Sequence, residues 1–179
     1  MVSEVYTVGH STLTIEEFTG ILTENSVKLV VDVRTVPRSR ANPQFDKQSL
    51  PTSLKAAGVG YTHIPCLGGL RKPRKDSPND AWVNASFRGY ADYMLTEEFE
   101  KCLNELLSLI AAGSGGVALM CAEAVPWRCH RSLIADALYV RGINVTHLIG
   151  KKGRRVHTLT KFAVVHDKKI MYPKKSGFT

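Results

Sequence analysis

The chain has 179 residues, of which 44% are hydrophobic and 22% are charged, and these values are typical of a globular domain rather than a disordered or fibrous chain. A chain of this length can bury most of its apolar surface in one core, without disulfides or metals to stabilise it. We therefore expect one domain over residues 1–179. No apolar run reaches the roughly 18 residues of a membrane span, and the N-terminal sequence lacks the features of a signal peptide. We therefore expect a cytoplasmic protein without a membrane partner, and the sequence does not predict its oligomeric state.

The net charge of +8 is concentrated at the C-terminal end. Residues 1–150 carry 15 basic and 15 acidic residues, whereas residues 151–179 carry nine basic residues and Asp167 as the acidic one. Clustered Lys and Arg bind polyanions by displacing counterions, so this basic C-terminal extension indicates a nucleic-acid or other anionic partner. A solvated tail that aids solubility explains the charge equally well.

Strand-like and helix-like segments alternate from the N-terminus. Residues 5–11 predict a strand, and Thr14 with Glu17 predicts a capping box before a helix over residues 15–25. Further segments predict a buried strand over 27–37 that Pro37 ends, a helix over 45–58 that Gly58 closes, and a strand over 59–69. Charge and proline content predict an exposed loop over residues 71–84.

The second half of the chain continues this order. It predicts helices over 87–94 and 96–113, a strand over 115–123, a helix over 129–142 that Gly142 closes, and a strand over 143–150. Repeated strand–helix units predict a single α/β domain, with a mainly parallel open sheet of about five strands and helices on both faces. Within the basic extension, residues 151–179, the alternating pattern over residues 154–173 suits a small hairpin or an irregular cover.

Polar side chains follow four of the five predicted strands. In an open parallel sheet the loops after the carboxyl ends of the strands converge on one crevice, where ligands bind. We therefore expect one site formed by His10, Ser11, Asp32, Arg34, Arg38, Arg40, Gly68, Gly69, Cys121, Glu123, Cys129, His130 and Arg131.

Glu123 directly follows an apolar strand, and this position suits a general acid, a general base or a nucleophile. It suits equally a carboxylate that holds Arg131 or His10 in place. The arginines after the second strand fit phosphate or carboxylate groups, and Asp32 is placed to orient one of them.

Cys121 precedes a helix whose first turn contains His130 and Arg131, and such surroundings stabilise a thiolate or a bound anion. A buried side chain without chemistry is the alternative. A metal held by Cys121, Cys129, His130 or His10 is a further alternative, but the C-x7-C-H spacing is unlike that of zinc sites, so we predict no cofactor. The irregular cysteine spacing also predicts reduced thiols at Cys66, Cys102, Cys121 and Cys129.

Six segments together resemble the domain-of-unknown-function family 488: TVGHST, DVRTVPRSR, CLGGLR, FRGYADYM, LMCAEAVPWRCHRSLIADAL and HTLTKFAVVHDKKIMYP. The resemblance spans residues 5–173, and its most specific motif is C-A-E-x-x-P-x-x-C-H-R, from Cys121 to Arg131. In the tail, Lys168 and Lys169 stand where the resemblance implies a glycine. It implies one α/β domain and no particular reaction, with a pocket lined by His10, Ser11, Asp32, Arg34, Pro37, Arg40, Gly68, Gly69, Gly89, Tyr90, Cys121, Glu123, Cys129, His130 and Arg131.

Three functions fit these features. The favoured hypothesis is a hydrolase or transferase acting on a nucleic-acid base, a nucleotide or another anionic ligand. Its catalytic residues would be Glu123, Cys121, His130 and Asp32, and its ligand-binding residues would be His10, Ser11, Arg34, Arg40, Gly68, Gly69, Tyr90 and Arg131. The alternatives are a thiol-dependent or metal-dependent enzyme centred on Cys121, Cys129 and His130, and a non-catalytic nucleic-acid-binding module. Aromatic rings near the expected site suit base stacking, although packing explains most of them: Tyr61, Trp82, Phe87, Tyr90, Tyr93 and Trp127.

Overall fold

A six-stranded sheet forms the centre of the computed structural model, which describes residues 4–175. Its strands are β1 (Val5–Gly9), β2 (Val27–Asp32), β3 (Gly60–His63), β4 (Gly116–Cys121), β5 (Val145–Ile149) and β6 (Gly153–Val156). The spatial order is β3-β2-β4-β1-β5-β6; the first five of these strands are parallel, and β6 is antiparallel to β5. Because β1 and β4 are central and covered on both faces, every one of their residues is buried.

Five helices cover the two faces of the sheet. They are α1 (Ile15–Glu24) and α2 (Leu50–Ala56) on one face, with α3 (Ala85–Tyr93), α4 (Glu97–Ala112) and α5 (Arg131–Tyr139) on the other. Successive strand residues point to opposite faces, so Val30 packs with Phe18 of α1 while Val31 packs with Leu103 of α4. Among residues 4–175, no helix combines the length and the apolar character that crossing a bilayer would require. The single α/β domain with a mainly parallel sheet is confirmed.

Several helix ends follow the predicted chemistry. The hydroxyl of Thr14 accepts a hydrogen bond from the backbone of Glu17 at 3.1 Å, and the Glu17 carboxylate accepts one from the backbone of Thr14 at 3.0 Å, so the capping box is confirmed. Gly58 and Gly142 have φ angles of +73° and +78°, which glycine adopts without strain, and each follows the end of a helix as predicted.

Several elements are shorter than their sequence patterns predicted. Strand β3 ends at His63 rather than at residue 69, because residues 65–67 form a 3-10 turn. Strand β2 ends at Asp32 rather than at Pro37, because the Asp32 carboxylate accepts a hydrogen bond from the backbone of Arg34 at 3.1 Å and turns the chain. Helix α2 begins at Leu50 rather than at residue 45, because residues 43–45 form a separate 3-10 turn. Pro51 then lies in the first turn of α2, where its missing N–H costs no hydrogen bond.

The loop over residues 71–84 contains no helix or strand, but it is not exposed throughout. Asn79 is fully buried; its side chain donates to Asp92 of α3 at 2.7 Å and accepts from the backbone of Tyr172 at 2.8 Å. The loop is therefore attached to both α3 and the C-terminal part of the chain, which the prediction of an exposed loop did not anticipate.

The basic C-terminal extension adds β6 to the edge of the sheet and then forms a hairpin of β7 (Val164–His166) and β8 (Lys169–Met171). The two turn residues, Asp167 and Lys168, have φ angles of +47° and +67°. Lys168 thus adopts a backbone conformation that glycine would adopt more easily, yet the hairpin forms as predicted. Residues 176–179 of the predicted extension lie outside the described residues, as do residues 1–3.

Cys66 and Cys102 form a disulfide that joins the turn after β3 to α4. The prediction of four reduced thiols is therefore wrong for this pair. The two cysteines are 36 residues apart in a chain without a repeating cysteine pattern, so their pairing is decided by the packing of α4 beside the β3 turn. Cys121 and Cys129 are free and buried.

Candidate active site

A cavity of about 330 Å³ opens where the loops after β1, β2, β3 and β4 meet. We call this cavity the Cys121 pocket. Four loops contribute because the carboxyl ends of parallel strands lie at one edge of the sheet. Its walls consist of His10, Arg34, Thr35, Val36, Arg38, Ser39, Gly69, Leu70, Cys121, Ala122, Glu123, Cys129 and His130.

Arg131 holds the base of the Cys121 pocket together. Its side chain is fully buried, and Nη1 donates to the Sγ of Cys121 at 2.5 Å and to the carbonyl of Glu123 at 2.6 Å. Nη2 donates to the carbonyl of Ala124 at 3.2 Å, while Nε donates to the hydroxyl of Thr7 at 3.2 Å. One guanidinium from α5 thus fixes the loop after β4 against β1.

Cys121 and Cys129 differ sharply in acidity although their Sγ atoms are only 2.7 Å apart. Burial alone would raise the pKa of Cys121, but the hydrogen bond from Cys129 and the charge of Arg131 outweigh it and lower this pKa to about 7. Burial, together with the hydrogen bond to Cys121, raises the pKa of Cys129 well above its ordinary value. Near neutral pH a substantial fraction of Cys121 is therefore thiolate, to which the Cys129 thiol donates a hydrogen bond.

His130 lies beside this pair as a neutral imidazole. Nε2 donates to the carbonyl of Val33 at 2.9 Å, which leaves Nδ1 as an acceptor 3.6 Å from the Sγ of Cys129. Burial lowers the pKa of His130 to about 4. Gly69 lies against this ring, because a Cβ there would be only 3.0 Å from Nδ1.

Arg34 forms the cationic wall of the pocket and is held by a buried carboxylate. Asp32 accepts hydrogen bonds from Arg34 Nε at 2.9 Å, from Arg34 Nη2 at 2.7 Å and from the Tyr61 hydroxyl at 2.7 Å. Nη2 also donates to the carbonyl of Phe45 at 2.7 Å. The position of the guanidinium is therefore set by groups behind it, and Asp32 itself does not line the cavity.

His10 completes the wall next to Arg34. Nε2 of His10 accepts from Arg34 Nη1 at 3.3 Å, Nδ1 donates to the carbonyl of Ser11 at 2.9 Å, and the ring stacks on Phe45 with centroids 4.3 Å apart. Burial lowers the pKa of His10, so it is neutral near pH 7. The preceding residue, Gly9, lets the backbone of Glu123 approach β1 closely, because a Cβ at this position would lie 1.6 Å from the carbonyl oxygen of Glu123.

A comparison with protein families gives one match. The model described as "Domain of unknown function DUF488" covers residues 14–138, more than two thirds of the chain. The chain belongs to the DUF488 family. No curated protein and no solved structure matches it significantly. The DUF488 match includes the segment from Cys121 to Arg131, whereas His10, Ser11 and the C-terminal hairpin fall outside it.

In this DUF488 protein, some residues predicted for the site line the pocket and others support it from behind. Those in the wall are His10, Arg34, Arg38, Gly69, Cys121, Glu123, Cys129 and His130, and those outside it are Ser11, Asp32, Pro37, Arg40, Gly68, Gly89, Tyr90 and Arg131. Tyr90 is buried and donates to the carbonyl of Leu67 at 2.8 Å, while Gly68 packs on Thr35 and Arg40 is exposed. Sequence reasoning missed the wall residues Thr35, Val36, Ser39, Leu70 and Ala122.

Sequence reasoning also missed a chain of buried polar residues behind Arg131. The Thr7 hydroxyl is 2.6 Å from Nδ1 of His147, Nε2 of His147 is 2.9 Å from Nδ1 of His157, and Nε2 of His157 is 2.8 Å from the Asp136 carboxylate. The signal that would have located it is a histidine within the apolar strand INVTHLIG. Between residues 4 and 175, no three His, Cys, Asp or Glu side chains are grouped as metal ligands would be.

Proposed function

We propose that this protein is an enzyme that uses the Cys121 thiolate as a nucleophile toward an anionic, nucleic-acid-related substrate. The observation that carries the proposal is the fully buried Arg131 guanidinium, 2.5 Å from the Cys121 Sγ at the base of a cavity. None of the described carboxylates forms an ion pair with Arg131, so the thiolate is the anion that balances its buried charge.

The anionic part of the substrate would bind to Arg34 and Arg38 in the wall of the Cys121 pocket. Arg34 is positioned by Asp32, and Arg38 lines the same cavity from an exposed position. Guanidinium groups bind phosphate or carboxylate oxygens through paired hydrogen bonds. His10 and His130 add no positive charge, because burial lowers the pKa of each. An anion bound to Arg34 and Arg38 would present a neighbouring electrophilic atom to Cys121.

Glu123 takes the role of proton acceptor at the mouth of the pocket. Its side chain is exposed, and no described side chain hydrogen-bonds its carboxylate. Cys121 would attack the electrophilic atom and form a covalent intermediate, while the leaving group takes a proton from water at the mouth of the pocket. An incoming water or acceptor would then be deprotonated by Glu123 and would release Cys121 as a thiolate. This sequence makes the enzyme a hydrolase or a transferase.

Alkylation of Cys121 tests the proposal without knowledge of the substrate. The cationic wall should make the anion iodoacetate react faster, relative to neutral iodoacetamide, than it does with a small free thiol. Arg34→Ala should lower this preference several-fold, whereas Lys28→Ala, which removes an exposed cation at the opposite edge of the sheet, should leave it unchanged. An unreactive Cys121, or a preference that is equal in both variants, would contradict the proposal.

A further inference from the structure

A groove beside the Cys121 pocket has the composition of a site for nucleic-acid bases. Two cavities, of about 560 and 240 Å³, share Trp82 and Trp127 as wall residues, and we call the two together the tryptophan groove. We propose that this groove binds successive nucleotides of a single-stranded nucleic acid. The inference rests on the proposed function in one respect: the nucleotide that reaches Cys121 would be part of a strand rather than a free molecule.

The tryptophan groove begins at the mouth of the Cys121 pocket. Glu123 lines the pocket and also lines the larger cavity of the groove, together with Phe87 and Arg128. The smaller cavity lies beyond the two tryptophans and is lined by Arg155. The shared wall residues therefore place the three cavities in a row, and a flexible chain with one unit in the pocket would continue into the groove.

The two tryptophans differ in how closely their rings are packed by the rest of the protein. Trp82 is fixed by ring packing: Phe87 stacks on it with centroids 5.0 Å apart, and Phe162 and Tyr172 contact it at 4.9 and 5.5 Å. Its buried Nε1 has no hydrogen-bond partner among the described residues, so ring contacts rather than a side-chain hydrogen bond hold the indole. Trp127 is 55% exposed. Bases of every type stack on such rings, and this contribution is independent of sequence.

Two arginines, Arg155 and Arg128, line the groove beside these rings. The Arg155 guanidinium carbon lies 5.7 Å from the ring centroid of Trp127, and Arg128 lines the cavity on the other side. Arg155 belongs to β6, which lies within the basic extension and whose residues are all exposed. Aromatic platforms flanked by arginines are what binding of a single strand requires, because bases need stacking surfaces and phosphates need cations.

Fluorescence anisotropy with a labelled oligothymidylate of about 12 nucleotides tests this groove in the full-length chain. The wild-type protein would be used as the starting protein, because Cys121→Ser would leave the buried Arg131 guanidinium without its counter-charge. We expect Trp127→Ala to weaken binding about tenfold or more. Arg155→Ala should weaken binding and also reduce its dependence on salt concentration. Two variants serve as controls and should bind as the starting protein does: Val165→Ala removes an exposed apolar side chain from β7, and Lys28→Ala removes a remote cation.

Three results would overturn the groove: no binding of the oligonucleotide, equal affinity of Trp127→Ala, or displacement of the oligonucleotide by an acidic peptide but not by unlabelled oligothymidylate. Alkylation of the wild-type protein separates this failure from failure of the proposed function. If the oligonucleotide does not bind but Cys121 is reactive and prefers iodoacetate, the proposal for the tryptophan groove is rejected and the proposed enzymatic function is retained. If binding depends on Trp127 but Cys121 is unreactive, the proposal for the tryptophan groove is retained and the proposed enzymatic function is rejected.

Discussion

The guanidinium of Arg131 and the thiol of Cys121 lie ten residues apart in the sequence and meet at 2.5 Å, where both side chains are buried. Cys121 ends β4 and Arg131 begins α5, so the loop between them closes on this contact. A buried guanidinium is costly unless its charge and donors are satisfied. A thiolate at Cys121 balances the charge, while Thr7 and the carbonyls of Glu123 and Ala124 accept from the remaining donors. The contact therefore links the stability of the loop to the reactivity of the cysteine.

The acidity of Cys121 should depend on its two hydrogen-bond donors. The alkylation rate of the wild-type protein should rise with pH around a midpoint near 7, because the thiolate is the reactive form and the pKa of Cys121 is lowered to about 7. Arg131→Met and Cys129→Ala each remove a stabilising partner and should move this midpoint toward the ordinary value of 9.0. Iodoacetamide labelling followed by mass spectrometry measures the rate.

Cys129→Ser provides the matched control for this experiment, because a serine hydroxyl still donates a hydrogen bond to the Cys121 thiolate. Its midpoint should stay closer to that of the wild-type protein than the midpoint of Cys129→Ala does. Identical midpoints in Cys129→Ala, Cys129→Ser and the wild-type protein would show that the hydrogen bond from Cys129 does not set the acidity.

The buried ion pair of Asp32 and Arg34 should contribute far more to stability than an exposed pair of the same type. Asp32→Asn leaves the Arg34 guanidinium buried without a counter-charge, and we expect the free energy of unfolding to fall by about 3 kcal/mol or more. Arg74 and Asp76 form a similar bidentate pair two residues apart, with side chains 59% and 72% exposed. Asp76→Asn should not change the urea midpoint, and equal effects of the two substitutions would refute the argument from burial.

The buried histidine chain should make the protein less stable in acid. Burial, together with the charge of neighbouring groups, lowers the pKa of His147 to about 3, so between this value and the ordinary 6.5 the unfolded chain binds a proton that the folded protein does not. Stability therefore falls as the pH drops below 6.5, by about 1.4 kcal/mol per pH unit for each such group.

His147→Gln should make this pH dependence shallower, whatever its effect on stability at neutral pH. Urea unfolding curves between pH 7.5 and pH 4.5 give the slope; this range covers most of the span over which the two states differ in protonation. His166→Gln is the control, because the side chain of His166 is 85% exposed. A slope that His147→Gln leaves unchanged would mean that His147 does not titrate as its burial implies.

The disulfide between Cys66 and Cys102 should stabilise the protein by shortening the free chain of the unfolded state. Closure of a loop with a sequence separation of 36 contributes about 4 kcal/mol in the chain-entropy model. A reducing agent should lower the urea midpoint of the wild-type protein. A double variant, Cys66→Ser with Cys102→Ala, should unfold at the lower midpoint with or without the reducing agent. A wild-type midpoint that is insensitive to reduction would contradict this contribution.

Local patterns were sufficient to predict the order of the elements and several of their ends. The capping box at Thr14 and the glycine caps at Gly58 and Gly142 involve residues that are close in sequence, so their chemistry is visible without the fold. The early end of β2 was not visible, because it depends on a hydrogen bond from the backbone of Arg34 to a carboxylate that also forms a buried ion pair. The wall residue Leu70, with φ at +61°, carries no local signal for the loop that it forms.

By itself, the sequence determined the α/β class, the parallel sheet and the edge at which polar residues gather, because hydrophobic periodicity and the ends of strands are local properties. The tertiary structure decided which of those residues face the cavity: it placed Cys121 at the base, moved Asp32 and Arg131 behind the wall and left Glu123 at the mouth. It also decided the pairing of Cys66 with Cys102 and the acidity of Cys121. Contacts between distant segments, burial and the electric field of a neighbouring charge exist only after the chain has packed, and these three quantities set disulfide pairing and pKa.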